Sequence, residues 1–191
     1  MLYTIETITE CIGARRVGTH EATIDWLLTD SRSLSFPEET LFFALTTKRN
    51  KGARYIPELY ERGVRNFVVT QEEFNELTVD NGQLTIAMQH AGSAATVNCQ
   101  LSTVNFLIVG NPLKALQKLA ELHRERFQIP VIGITGSNGK TIVKEWLHQL
   151  LSPDRVIVRS PRSYNSQIGV PLSVWQMNEE AEFAIFEAGI S

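Results

Sequence analysis

The sequence predicts an α/β protein built on mostly parallel sheets. Short apolar runs alternate with stretches of helical spacing, and a glycine-rich turn joins one of the predicted strands to the next predicted helix. Strands that alternate with helices usually form a parallel sheet, because each helix returns the chain to the same edge of the sheet. The composition is that of a globular protein, since 43% of the 191 residues are hydrophobic and 20% are charged.

Charge and hydropathy exclude several classes of protein. The formal net charge of −3 and the isoelectric point near 5.8 argue against a nucleic-acid binder, which usually carries a basic patch. No apolar run has the length of a membrane-spanning helix, and the N-terminal residues lack the pattern of a signal peptide. The two cysteines and four histidines show no metal-ligand or redox spacing. We therefore expect a cytoplasmic protein that neither binds nucleic acids nor enters membranes.

The first part of the chain predicts a small α/β domain. Three consecutive segments have the pattern of a strand, a helix and a strand: TLFFAL (40–45), YIPELYERG (55–63) and VRNFVVT (64–70). Residues 75–105 show no firm period, although LTIAM within them is compatible with a strand. We place the boundary between two domains at residues 1–108 and 109–191.

The second part of the chain alternates strands and helices more clearly. Asn111 and Pro112 fit an N-cap followed by proline at the first helical position, and the helix is predicted to end near residue 127. After the glycine turn, apolar residues recur at helical spacing from Ile142 to Leu151 and form one face. The remaining predictions are strands at 131–135 and 155–160, a helix at 170–177, and a strand followed by a turn at 183–189.

The glycine turn GITGSNGKTIVKE, which begins at Gly133, has the composition of a phosphate-binding loop. The usual spacing, G-x-x-x-x-G-K-[ST], requires glycine at position 134, where the sequence has Ile134. The context still favours phosphate, because the turn joins a strand to a helix whose N-terminal N–H groups attract anions. Glycine also allows the backbone to approach a ligand closely. The alternative is a structural turn with a solvated Lys140.

Three side chains near this turn predict a site for a nucleotide and a metal ion. Lys140 is expected to contact the β- and γ-phosphates, and Thr141 is expected to offer its hydroxyl to Mg²⁺. Glu187 ends the strand FAIFE, and ligands of open α/β sheets bind beyond the carboxyl ends of the strands. We therefore expect Glu187 to be a second metal ligand; an exposed carboxylate at a strand end is the alternative.

The loop resembles the ATP loop of the Mur ligases, the ATP-dependent amide-forming enzymes of peptidoglycan synthesis. Their loop has the form T-G-[ST]-N-G-K-T, which explains the unusual spacing. The resemblance implies that ATP with Mg²⁺ is bound by seven consecutive residues: Thr135, Gly136, Ser137, Asn138, Gly139, Lys140 and Thr141. Folylpolyglutamate synthases have a similar loop, so the loop alone does not select the substrate.

Other segments resemble the family member that joins D-Ala-D-Ala to UDP-MurNAc-tripeptide. TDSRSLSFPEETLFFAL (29–45) is similar to its DSR stretch. YNSQIGVPLSV (164–174) is similar to its N-N-E-I-G-x-P-L segment, and EAGIS (187–191) to its E-M-G segment. The resemblance implies that Ser31 and Arg32 contact the UDP-sugar and that Asn165 contacts substrate or nucleotide. A salt bridge for Arg32 and a turn role for Asn165 are the structural alternatives.

The resemblance also implies a reaction and a fold. A small N-terminal α/β domain would bind the UDP-sugar, and the first part of an ATP-binding domain with a mostly parallel sheet would follow. ATP would phosphorylate the tripeptide carboxylate, and the amine of D-Ala-D-Ala would attack the acyl phosphate. We expect an N-terminal fragment of a longer monomeric enzyme, inactive alone; fusion to an alanine racemase is left open.

Some positions depart from the family pattern, and other functions remain open. Ile142 stands where a second hydroxyl is common, and Lys51-Gly52-Ala53 replaces the usual Asp-Gly-His. One alternative function is another Mur-type or folylpolyglutamate-type ligase. The other is a non-catalytic module that binds a UDP-sugar.

Overall fold

The computed structural model describes residues 2–46, 51–76, 78–80, 83–90 and 93–189. The chain divides into two compact units, Met1–Ala115 and Leu116–Ser191. Within the described residues, no helix combines the length and the hydropathy needed to cross a membrane.

The first unit contains a five-stranded sheet, a two-stranded sheet and a three-stranded sheet. In chain order its elements are β1 (Tyr3–Thr4), α1 (Ile5–Ile12), β2 (Arg15–Val17), β3 (Thr23–Ile24), β4 (Trp26–Leu28), β5 (Thr40–Phe43), α2 (Ile56–Glu61), β6 (Asn66–Val69), α3 (Gln71–Asn75), β7 (Thr78–Asp80), β8 (Gln83–His90), β9 (Ser93–Gln100) and β10 (Asn105–Ile108). The main sheet has the order β2-β10-β6-β5-β4, and all its pairs are parallel except β2 with β10. β1 pairs with β3, and β7, β8 and β9 pair in succession, all of them antiparallel.

The core of the first unit lies on its central strands. Every residue of β5, β6 and β10 is buried, as expected of parallel strands that are covered on both faces. Phe67 packs against Phe42 and Phe106 of the two neighbouring strands, with ring centroids 6.4 and 5.4 Å apart. Such aromatic contacts add about 0.5–1.5 kcal/mol each to the burial of the rings.

A buried polar network lies at the amino ends of the same strands. Thr40, Asn66 and Asn105 begin β5, β6 and β10, and all are buried. The Asn105 side chain donates to Asn66 Oδ1 at 2.8 Å and to the carbonyl of His20 at 2.6 Å. Arg16 Nε in turn donates to Asn105 Oδ1 at 2.9 Å. The hydrogen bonds of Asn105 compensate for its burial and tie adjacent strands together.

The second unit is built on three parallel strands. Its elements follow from helix α4 (Pro112–Glu125), in which the division of the chain falls, and are β11 (Val131–Ile134), α5 (Lys140–Leu151), β12 (Ile157–Arg159), α6 (Gly169–Val174) and β13 (Phe183–Glu187). The strand order is β11-β13-β12, with β13 paired in parallel to both neighbours. Asn111 caps α4 as predicted, since its Oδ1 accepts the N–H of Lys114 at 3.1 Å. The predicted α/β class with mostly parallel sheets is therefore confirmed.

Helix α5 differs from the sequence expectation in the residues that it buries. The predicted apolar face is largely exposed to solvent, with Ile142 at 56%, Trp146 at 68% and Leu150 at 72% of their full exposure. Lys144 is the residue of this helix that is buried. The face of α5 that turns inward is the one that carries Lys144, and it meets the candidate site.

Candidate functional site

The loop between β11 and α5 leaves the start of the helix open. Gly136 has a φ of 141° and Gly139 a φ of 78°, values that glycine adopts at no steric cost. Gly139 is the N-cap of the twelve-residue helix and provides no side-chain hydrogen bond to it. The first N–H groups of α5 therefore lack a capping side chain at Gly139, and the positive end of the helix dipole favours an anion there.

Lys140 folds back over this loop. Its Nζ donates to the carbonyl of Gly136 at 2.5 Å, so the ammonium group lies against the backbone of the loop. A phosphate in the loop would meet this positive charge together with the helix N-terminus. Charge-assisted hydrogen bonds of this kind are about twice as strong as neutral ones.

The register of β11 and β13 brings Glu187 to the loop. Ile134 and Glu187 are paired residues of the two parallel strands, and the N–H of Ala188 donates to the carbonyl of Ile134 at 2.9 Å. The Thr141 hydroxyl donates to Glu187 Oε2 at 3.1 Å, and Asn165 Nδ2 lies 3.5 Å from the same oxygen. The predicted residues Thr141, Glu187 and Asn165 thus form one cluster beside the loop.

Glu187 also forms a buried ion pair that the sequence analysis missed. The side chains of Lys144 and Glu187 are both fully buried, and Lys144 Nζ lies 2.9 Å from Glu187 Oε1. The alignment is not that of a hydrogen bond, so within the described part of the chain Oε1 is a buried oxygen with no hydrogen-bond partner. Lys144 also donates to the carbonyls of Ser160, at 2.8 Å, and Arg162. Attraction between the two charges offsets part of the cost of removing them from water.

One signal in the sequence could have revealed this ion pair. Thr141 and Lys144 are three residues apart in a helix and therefore lie on the same face. A lysine on the face that carries a predicted metal ligand is a candidate partner for an acid at that site. The apolar pattern from Ile142 to Leu151 instead predicts that this apolar face is the buried one and that Lys144 lies outside it.

The cluster has the donors that a nucleotide-bound Mg²⁺ requires. Mg²⁺ keeps several waters and takes one or two carboxylates together with phosphate oxygens. Thr141 Oγ1 and Glu187 Oε2 are neighbouring oxygens, 3.1 Å apart, whereas Glu187 Oε1 lies against the Lys144 ammonium. Among the residues with described side chains, no three His, Cys, Asp or Glu groups cluster as a metal site. The residues therefore fit an ion that also has phosphate and water ligands.

The two predicted UDP-sugar residues lie in the first unit. Ser31 and Arg32 belong to a short 3-10 turn that follows β4. Ser31 is buried, and its carbonyl accepts a hydrogen bond from Arg62 at 2.8 Å. The Arg32 side chain is 87% exposed and donates to the Asp30 carboxylate from Nε, at 2.9 Å, and from Nη2, at 2.6 Å. The hydrogen bond from Arg32 holds the pKa of Asp30 below its usual value.

The fold and the site define an α/β protein whose glycine-rich loop has the Mur-ligase pattern, and comparison with known proteins agrees. Residues 134–191 match the profile of the Mur ligase middle domain. The chain is 30% identical, over 176 residues, to the UDP-N-acetylmuramoyl-tripeptide–D-alanyl-D-alanine ligase of Borreliella burgdorferi. The matched region covers 90% of this chain and 34% of that ligase. It is 29% identical, over 190 residues, to the ligase of the same name from Bacillus subtilis. That matched region covers 98% of this chain and 36% of the Bacillus subtilis ligase. The resemblance to the Mur ligases, and within them to these enzymes, is therefore confirmed.

Solved structures show the same fold. The crystal structure of MurF from Acinetobacter baumannii matches 100% of this chain and 36% of that one, with a TM-score of 0.76 and 22% identity. MurF ligase from Thermotoga maritima, solved in complex with ADP, matches 85% of this chain and 31% of that one, with a TM-score of 0.60 and 24% identity. The chain spans about a third of the length of these relatives.

Proposed function

We propose that this chain is part of an ATP-dependent amide ligase of peptidoglycan precursor synthesis in the cytoplasm. The enzyme would join D-Ala-D-Ala to UDP-MurNAc-tripeptide through an acyl phosphate. The observation that carries the proposal is the hydrogen bond, 3.1 Å long, from Thr141 to Glu187. Thr141 lies in the first turn of α5, which begins within the T-G-S-N-G-K-T segment. The sequence likeness to ligases named for this reaction supports the choice of substrate.

The loop residues would bind and orient the phosphates of ATP. Residues 135–139 would supply backbone N–H groups, and Lys140 would exchange its bond with the Gly136 carbonyl for one with a phosphate oxygen. Thr141 and Glu187 would hold Mg²⁺, which when bound neutralises phosphate charge in phosphoryl transfer. Because phosphoryl transfer depends mainly on positioning and charge, these residues need not act as a general acid or base.

The proposed substrate contacts lie in both parts of the chain. Ser31 and Arg32 would contact the UDP-sugar in a domain formed by residues 1–108, and residues 109–191 would begin the ATP domain. Arg32 is exposed and would have to share its guanidinium between Asp30 and a pyrophosphate. The backbone carbonyl of Asn165 accepts the N–H of Gly189 at 2.6 Å, and its side-chain amide faces Glu187, so this amide would lie beside the bound phosphates.

Binding of ATP to the 191-residue chain tests the nucleotide site. Calorimetry with ATP and Mg²⁺ should detect binding, and Lys140→Met should weaken it. A hydrogen bond to a charged group contributes about 1.5–3 kcal/mol, which corresponds to a loss of about tenfold to a hundredfold in affinity. Lys114→Met, which removes an exposed lysine from α4, is the matched control. Equal binding by the wild type and both variants would contradict the role of Lys140.

The choice of substrate requires the full-length enzyme that contains this chain. ADP release should depend on UDP-MurNAc-tripeptide together with D-Ala-D-Ala. Release with glutamate or a diamino acid, and none with D-Ala-D-Ala, would assign the enzyme to another branch of the Mur ligases or to the folylpolyglutamate type. Binding of a UDP-sugar with no ADP release under any condition would support a non-catalytic module.

A further inference from the structure

We propose that Lys144 is a positioning residue that orients Glu187 toward the metal ion of a bound nucleotide. The inference rests on the proposed function, because it takes Thr141 and Glu187 as the residues that hold the ion. Lys144 would not touch nucleotide or metal. Its effect would be exerted through the carboxylate that it holds.

The first argument is the environment of the Lys144 ammonium. Lysine is almost never fully buried unless it is paired, yet the Lys144 side chain has no exposure at all. Four oxygens surround this ammonium: Glu187 Oε1 at 2.9 Å, Glu145 Oε1 at 3.3 Å, the Ser160 carbonyl at 2.8 Å and the Arg162 carbonyl. The position of the Lys144 ammonium is thus defined by groups on two other segments of the chain.

The second argument is the division of roles between the two oxygens of Glu187. Oε1 faces Lys144, whereas Oε2 accepts from Thr141 at 3.1 Å and faces Asn165 at 3.5 Å. The backbone N–H of Glu187 donates to Ser160 Oγ at 3.0 Å. With the backbone and one oxygen held, the other oxygen is directed to the side on which the phosphate loop lies. This arrangement favours a single Glu187 oxygen as the metal ligand.

The third argument is that one helix carries both groups. Thr141 and Lys144 lie on the same face of α5, so the hydroxyl and the ammonium keep a fixed separation. Lys144 also ties α5 to the segment of Ser160 and Arg162, and Ser163 of that segment lies 3.4 Å from the Thr141 hydroxyl. Loss of the ammonium would therefore release the carboxylate and loosen the segment beside it.

A second acid near Lys144 does not replace Glu187 as its partner. Glu145 Oε1 lies 3.3 Å from Lys144 Nζ, but the same oxygen accepts a hydrogen bond from Arg159. Glu145 and Arg159 are each 35% exposed, so water also screens that pair. The fully buried carboxylate of Glu187 is the group that depends on Lys144.

The test compares ATP affinity with Mg²⁺ and with EDTA in the 191-residue chain. The quantity of interest is the ratio of the two affinities, because a general loss of structure lowers both. Removing a group that orients a metal ligand typically costs about 10–100-fold in metal affinity, and we expect Lys144→Met to lower the ratio by that factor. Lys144→Arg should restore part of it, and Lys114→Met should leave it unchanged. Thermal melts of each variant establish that it is folded.

The outcomes separate this inference from the proposed function. A wild-type chain that binds no ATP under either condition would overturn the proposed nucleotide site. A wild type with Mg²⁺-dependent binding, and a folded Lys144→Met with the same ratio, would overturn the positioning role and leave the nucleotide site in place. If Lys144→Met and Lys144→Arg both fail to fold, the lysine is structural and the positioning role is rejected.

Discussion

Ile134 and Glu187 are paired residues of two adjacent parallel strands, and this pairing determines where the candidate site lies. β11 ends at Ile134 and continues into the glycine-rich loop, whereas β13 ends at Glu187. Carboxyl ends of parallel strands meet at one edge of a sheet. A shift of one residue in this register would turn the Glu187 side chain to the other face of the sheet and separate it from Thr141.

Glu187→Gln should destabilise the second unit. The substitution removes the charge that compensates the buried ammonium of Lys144, and breaking a buried ion pair on one side costs about 3–5 kcal/mol. Urea denaturation should show this loss in the free energy of unfolding. The same variant should lose the Mg²⁺ dependence of ATP binding, because a carboxamide is a poor ligand for the ion.

Glu182→Gln is the matched control for that prediction. Glu182 pairs with Arg155 at 3.5 Å, and both side chains are about half exposed. Exposed pairs contribute about 0–1 kcal/mol, so this variant should unfold at nearly the wild-type urea concentration. Equal losses of stability in the two glutamate variants would show that burial of the Lys144–Glu187 pair has no energetic effect.

Gly139→Ala should strain the loop, although there is space for the added methyl group. No atom lies within 4 Å of the position that a Cβ would occupy, but the φ of 78° is in the left-handed region. That conformation costs about 1–2 kcal/mol for residues other than glycine. We expect a loss of that size in unfolding free energy, together with weaker ATP binding. Gly133→Ala tests the explanation, because Gly133 has the same open surroundings without a positive φ and should tolerate alanine.

The stability of the second unit should decrease on mild acidification because of His148. Burial, followed by the positive charge of Arg159, lowers the pKa of His148 below 6.5. As the pH falls, the unfolded chain binds a proton before the folded chain does, so the free energy of unfolding falls below about pH 6.5. His148→Gln should flatten this dependence in urea titrations. An NMR titration in which the His148 ring protonates at or above 6.5 would contradict the prediction.

Asn105→Ala should destabilise the first unit. Asn105 is fully buried and connects Asn66, Arg16 and the His20 carbonyl. Each buried polar group left without a partner costs about 1–3 kcal/mol, and thermal unfolding should report a loss of at least that size. Asn75→Ala removes the same side chain from an exposed hydrogen bond with Gln71 and should leave the melting temperature almost unchanged.

The loop, the strand before it and the helix after it were predictable because local sequence is sufficient to define them. Thr135, Gly139 and Lys140 belong to a glycine-rich turn that the sequence places between a strand and a helix, and the apolar runs on either side of it predict β11 and α5. The position of Glu187 beside the loop was also predictable, because a parallel sheet places the carboxyl ends of its strands at a common edge.

The burial of Lys144 could not be predicted from the spacing of apolar residues. A hydrophobic pattern places lysine on the outer face of a helix, but the buried acid of a distant strand is the stronger determinant here. Residues 75–105 were difficult for a different reason. β8 and β9 contain many Thr, Gln, Asn and Ala residues, and a weak alternation of polarity predicts strands poorly.

The exposed tryptophan on the apolar face of α5 makes the intrinsic fluorescence of this chain sensitive to its surroundings. Trp146 is 68% exposed, more than Trp26 at 46% and Trp175 at 9%, so its indole should emit at the wavelength of a hydrated tryptophan and be quenched readily by iodide. It lies on the helix that begins at the phosphate loop, next to the exposed side chains of Ile142 and Leu150. Contact of this face with another apolar surface would shift the emission to the blue, so intrinsic fluorescence can report association of the chain without any added dye.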